Sequence, residues 1–140
     1  MDVTQQLAVE VFQIARRWRA LLDERLRPAG MTKAAWAVLY WISRNPDGMT
    51  QRELAEKVGI ETSTLTRQLD AMESQSLIER RAVPGDRRAK RVRLTGQATA
   101  MMQQLAEITD SVRAELFEGV PLDEVERAVD LLRRLHARLV

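Results

Sequence analysis

The chain has no cysteine, one histidine, and only six aromatic residues (three Trp, one Tyr, two Phe) in 140 residues. The first absence excludes a disulfide framework and any thiolate-held metal, and makes the cytosol the expected setting. His136 alone cannot build a histidine-rich metal centre. No apolar run approaches the ~18 residues that a membrane span requires, and no signal-peptide pattern opens the chain. There is also no Ser/His/Asp or Cys/His set and no glycine-rich phosphate loop. Neither catalysis nor a cofactor or metal is therefore expected.

What is present is an ordinary soluble composition, 45% apolar and 30% charged, in a length that fits about one domain. The net charge of +2 hides a segregation. Between Glu79 and Arg93 lie seven basic residues and two acids; between Gln97 and Asp130 lie eight acids and two arginines. Such a chain is expected to meet a polyanion with one region and to keep it away from another.

Apolar residues at Leu7, Val11, Ile14, Trp18, Leu22 and Leu26 predict a helix over residues 5–26, stopped by Pro28 and Gly30. Thr32 is placed to cap a second helix reaching about Ser43; its sequence KAAWAVLYWIS is apolar almost all round and should be buried. After the turn Asn45-Pro46-Asp47-Gly48, Thr50 and Glu53 have capping-box spacing for a short helix ending at Gly59. Thr62 is expected to cap the next helix, Ser63 to about Ser74, with Leu65, Leu69 and Met72 inward and polar residues outward. Two short helices joined by a tight glycine-containing turn read as helix-turn-helix.

LIERRAV and KRVRLT follow as two short strands, with Val83-Pro84-Gly85-Asp86 suited to a type II turn. A basic hairpin directly after the second helix makes a winged helix-turn-helix. Thr95 is placed to cap a long helix from about Gln97 to Glu118; Gly119 breaks it, and Pro121 is expected to open a final helix to Leu139. The expected fold is mostly α with one small β-hairpin. Residues 32–95 form the winged unit, and amphipathic helices in 1–30 and 97–140 bury their stripes against each other or a second copy. A two-fold dimer with intertwined termini is the economical solution.

This arrangement points to duplex DNA, which asks for a polar helix in the major groove, cations on phosphates and symmetry matching a palindrome. Arg67 is the candidate for a base edge, since a guanidinium pairs twice with guanine; the plainer alternative is an exposed arginine pairing with Asp70 at i+3. Thr62, Ser63, Thr64 and Thr66 belong to the same helix, the first three at its N-terminus where phosphate is favoured. Gln51 and Arg52 are candidate phosphate contacts. In the hairpin, Arg87, Arg88 and Lys90 face the polyanion, with Arg88 the candidate for minor-groove insertion and Asp86 placed to aim it by a charge-assisted hydrogen bond.

The stretch DRRAKRVRLT has the D-x-R-x5-L-T wing pattern and, with the helix order of the whole chain, resembles the MarR family of bacterial transcription regulators. Residues 15–36 and 76–95 resemble its SlyA-like branch in particular. The resemblance implies a cytoplasmic, nucleoid-associated homodimer on palindromic promoter DNA, often released by a small aromatic acid. It supports Asp86, Arg88 and Arg67 in DNA contact. It also places such an acid near Trp36 and Tyr40, which share a helix face, and near Trp18, Arg16 and Arg17 of the first helix. The plainer reading of Trp36 and Tyr40 is ordinary core. A second reading of the whole chain is a winged-helix adaptor whose basic hairpin meets an acidic protein instead of DNA.

Overall fold

The computed structural model describes the backbone of residues 1–140 and the side chains of all but Arg87 and Arg88. Six α-helices run in order, α1 (Val3–Leu26), α2 (Lys33–Ser43), α3 (Gln51–Val58), α4 (Thr62–Ser74), α5 (Gly96–Leu116) and α6 (Leu122–Leu139), with one strand of a small sheet before α3 and the other two between α4 and α5. The three strands are β1 (Met49–Thr50), β2 (Ile78–Val83) and β3 (Asp86–Leu94). None of the helices is long and apolar enough to cross a membrane among the described residues.

Helix starts follow side-chain chemistry. At α1 the Asp2 carboxylate accepts the Gln5 N–H at 2.9 Å while the Gln5 side chain accepts the Asp2 N–H at 2.8 Å. This reciprocal cap starts the helix earlier than the apolar period alone implies. Thr32 Oγ1 accepts the Ala35 N–H at 3.1 Å, and Asp23 of α1 accepts the Lys33 N–H at 2.5 Å, so two acceptors satisfy the free donors of α2. Thr50 and Glu53 form the expected capping box of α3, and Thr95 Oγ1 accepts the Ala98 N–H to start α5.

Two expected boundaries move by one residue. Glu61 rather than Thr62 is the N-cap of α4; Thr62 is already helical, and its carbonyl accepts the Thr66 hydroxyl at 2.9 Å. Pro121 is the N-cap of α6 rather than its first residue, because its ψ of 139° is extended.

The chain divides into two compact units, Met1–Thr109 and Asp110–Val140, with the boundary inside α5. In the first unit Leu26, Val38, Leu39, Ile42, Leu54, Leu65, Leu69, Val92 and Leu105 are essentially inaccessible. α2 is less enclosed than its sequence implies: its core residues are Val38, Leu39 and Ile42, whereas Trp36 and Trp41 are half-buried and Tyr40 is 39% exposed. The second unit holds the end of α5 and α6. No residue of α6 is buried, and its Leu132, Leu135 and Leu139 stand open to solvent.

The sheet has the order β1-β3-β2, all antiparallel. Arg80 and Met49 both lie opposite the buried Val92, and a bulge interrupts β2 at Ala82/Val83. β3 begins at Asp86, four residues before the expected KRVRLT, so only Pro84 and Gly85 form the turn, and Gly85 takes the expected positive φ of +82°. β1 is too short to show in a hydropathy pattern, and its two residues pair with Val92 and Arg91.

Two backbone positions generate stability predictions. Ser76 has φ +61°, the one non-glycine residue with positive φ among the described residues, and lies between α4 and β2. Ser76→Gly should stabilise the protein by about 1 kcal/mol, read by urea unfolding at fixed protein concentration. Gly48 has φ +92°, and a Cβ there would meet Arg91 Cβ at 3.2 Å and Arg93 Cγ at 3.3 Å. Gly48→Ala should destabilise by about 1–2 kcal/mol in the same assay.

Candidate nucleic-acid interface

α4 turns Leu65, Leu69 and Met72 into the core, which leaves Ser63, Thr64 and Arg67 on an exposed polar face. Arg67 forms no ion pair among the described residues. Its i+3 neighbour Asp70 is engaged elsewhere: Arg80 Nη2 donates to Asp70 Oδ1 at 2.5 Å, and Arg80 Nε lies 3.7 Å from Glu73 Oε2. The alternative of an Arg67–Asp70 pair is thus not what the structure contains.

At the α4 N-terminus, the Glu61 cap makes no side-chain hydrogen bond to the helix. The first-turn N–H groups, next to Thr62, Ser63 and Thr64, therefore have no capping side chain and suit an anion. Thr66 has a different part. Its Oγ1 donates to Thr62 O and accepts from Gln51 Nε2 at 3.3 Å, so Gln51 and Thr66 join α3 to α4. Gln51 is half-buried as a result, whereas Arg52 one residue on is exposed. A second tie comes from Lys57 of α3, whose Nζ stands 5.5 Å from the Trp41 ring centroid.

The hairpin's seven cations do not act alike. Arg91 donates to the Gly48 carbonyl at 2.9 Å and Arg93 to the Asp47 carbonyl at 3.1 Å, which fixes the base of the hairpin to the turn before β1. Arg80 is committed to α4, and its side chain is only 12% exposed. Arg81 pairs with Glu79 at 3.3 Å in the open, a contact worth at most about 1 kcal/mol. Lys90 is exposed, as is Asp86 at the start of β3. The side chains of Arg87 and Arg88, and with them the expected aiming of Arg88 by Asp86, lie outside the described residues.

Sequence reasoning counted Arg80, Arg91 and Arg93 only as charge. Their partners lie seven or more residues away in other elements, so no helix or strand spacing announces them. The period-2 alternation of a strand puts Arg91 and Arg93 on one face of β3 and Val92 on the other.

The five aromatic and basic residues expected to line an acid site are partly assembled. Trp36 and Tyr40 rings have centroids 6.2 Å apart, and the Arg44 guanidinium stands 5.8 Å from the Tyr40 ring. Trp18 is half-buried; Arg16 and Arg17 are exposed. At the α1–α2 junction nearby, burial lowers the Lys33 pKa first and the Arg19 charge lowers it further, while Asp23 opposes both. A separate cavity of about 500 Å³ is bounded by Ser43, Asn45, Arg81, Arg93 and Met102, and none of the five lines it.

With this geometry in place, comparison with known proteins is direct. A sequence model of the MarR family matches residues 29–89. The transcriptional regulator PA3341 is 41% identical, with a TM-score of 0.87 over 95% of this chain and 97% of that one. The M. tuberculosis transcriptional regulator MOSR, solved in complex with DNA, is 30% identical, with a TM-score of 0.72 over 94% and 96% of the two chains. A mutant MarR from E. coli, complexed with operator DNA, is 27% identical, with a TM-score of 0.82 over 96% and 99%. Family match, whole-chain likeness and the winged helix-turn-helix agree: the chain belongs to the MarR family of transcription regulators.

Proposed function

We propose that the protein acts as a homodimer that binds palindromic promoter DNA and regulates transcription, in the manner of the SlyA-like branch, as a repressor or anti-silencer. The observation that carries this reading is the outer face of α4. Arg67 stands exposed and without an ion partner among the described residues, on a helix whose inner face is locked into the core. A major-groove reader requires that combination of rigid placement and a free guanidinium.

Dimerisation is supported by the open apolar groups of α1 and α6, each taken by itself. Phe12 is 76% and Ile14 52% exposed on α1, and Leu132 and Leu139 are 44% and 84% exposed on α6. Apolar stripes of this kind are stable in water only when covered. Residues 1–30 and 97–140 supply that covering in a second copy, and residues 32–95 bind the DNA. Two copies of α4 would then enter successive major grooves about 34 Å apart, on a site of about 15–20 bp.

The effector reading is that a small aromatic carboxylate stacks near Trp36 and Tyr40, with Trp18, Arg16 and Arg17 contributed by α1. The half-open Trp36–Tyr40 pair supports it. A ligand held there would favour a spacing of the two α4 helices that does not match the grooves, and its binding energy would appear as lost DNA affinity. The protein works in the cytoplasm, at the nucleoid.

Three results test the reading. Selection of duplexes from a random pool with purified protein should enrich a palindrome bound with a Kd on the order of 10 nM, steeply weakened by salt. An adaptor for acidic proteins would shift no duplex at physiological salt. On the selected duplex Arg67→Ala should weaken binding about tenfold and relax sequence choice, whereas Arg88→Ala should weaken selected and random duplexes alike. Leu132→Glu should convert the dimer to monomer in sedimentation and abolish the shift; a wild-type monomer would refute the dimeric reading.

A further inference from the structure

Asp70 is a carboxylate on the same helix as the base-reading arginine and one turn away from it. Residues at i and i+3 are neighbours on a helix surface, with Cβ atoms about 5–6 Å apart. Left to itself, an aspartate in that position would pair with Arg67 and compete with a guanine edge for the same guanidinium. Asp70 is 61% exposed, so no burial restrains it from doing so. A different cation restrains it. Arg80, reaching across from β2, holds Asp70 Oδ1 at 2.5 Å and sets its Nε near Glu73. Arg80 sits opposite Val92 in the sheet and its side chain is 12% exposed. It therefore approaches from a fixed, largely enclosed position, and charge-assisted pairing of this kind is the stronger class of hydrogen bond.

We propose that Arg80 is a positioning residue for sequence recognition: by sequestering the Asp70 carboxylate it keeps the Arg67 guanidinium available to a base. The inference rests on the DNA-binding reading above and deepens it. Arg80 touches no DNA; it acts through Asp70 on Arg67. Glu73 shares the same arginine but lies six positions after Arg67, on another side of the helix, so its release does not reach that guanidinium.

The selected duplex and a scrambled duplex of equal length are the probes, read by gel shift with wild-type protein and four variants, each first checked for native helix content by circular dichroism. Arg80→Met frees Asp70 and should weaken the selected duplex about tenfold while leaving the scrambled one within about twofold, the size of one lost base contact. Asp70→Asn should bind the selected duplex at least as tightly as wild type. The double variant Arg80→Met/Asp70→Asn should recover wild-type discrimination. Arg80→Met/Glu73→Gln, which restores the same net charge without touching Asp70, should remain weak.

A brace that merely ties α4 to β2 gives another pattern: Asp70→Asn would be as damaging as Arg80→Met, and the double variant would not recover. Either result overturns the proposal, as does full recovery in Arg80→Met/Glu73→Gln, which would reduce the effect to net charge. If Arg80→Met does not fold, Asp70→Asn decides alone: retained or improved discrimination supports sequestration, and loss overturns it. Wild-type protein that enriches no duplex refutes the DNA-binding reading itself, which separates that failure from failure of the Arg80 role.

Discussion

Burial of one apolar stripe governs what α4 can present. Leu65 and Leu69 are inaccessible and Met72 nearly so, and they are the only buried residues of the helix. Each such side chain contributes roughly 1.5–3 kcal/mol by leaving water. Nothing on the outer face of the helix competes with that, so the rotation of α4 about its own axis is set from inside. Ser63, Thr64 and Arg67 face outward because Leu65 and Leu69 face inward. The Gln51–Thr66 hydrogen bond and the Lys57–Trp41 contact then tie α3 to its neighbours at little cost in reach.

A second layer of order comes from arginines that serve the fold. Arg91 and Arg93 satisfy the carbonyls of Gly48 and Asp47, and Gly48 itself is favoured by its φ of +92° and by the tight approach of both side chains to where a Cβ would stand. The turn before β1, the edge strand and the hairpin base are therefore one locked assembly. Arg80 extends the lock to α4. The bulge at Ala82/Val83 marks the end of this assembly; Lys90, paired with Ala82, and Asp86, paired with Val83, are exposed on either side of it.

Much of this was legible in the sequence, for identifiable reasons. Helix periods, the Thr32 and Thr95 caps, the Thr50/Glu53 box and the Pro84-Gly85 turn are local signals, and each stands where its spacing puts it. What escaped is non-local or minimal. β1 has two residues and exists only because β3 offers it partners. The cap of α4 is Glu61, a residue that makes no capping bond and so leaves no chemical signature. The exposure of Tyr40 contradicts an all-round apolar reading of α2, because periodicity reports hydrophobicity and not which neighbours arrive to cover it. The pairing of Arg80 with Asp70 joins residues ten apart on a strand and a helix, a separation that neither element's own period reports.

The inward commitment of Arg80, Arg91 and Arg93 has a consequence for how the molecule would meet duplexes of irrelevant sequence. Ions condensed on a polynucleotide are displaced only by cations that reach its phosphates, and each displaced ion adds affinity without regard to bases. Three of the hairpin's seven cationic side chains are already held by hydrogen bonds to peptide oxygens or a carboxylate of the protein itself, which limits their reach to phosphates. The hairpin therefore has less indiscriminate stickiness than its arginine content implies. A searching protein built this way lingers less on random stretches, and a larger share of its grip is left to the few groups that can tell one sequence from another.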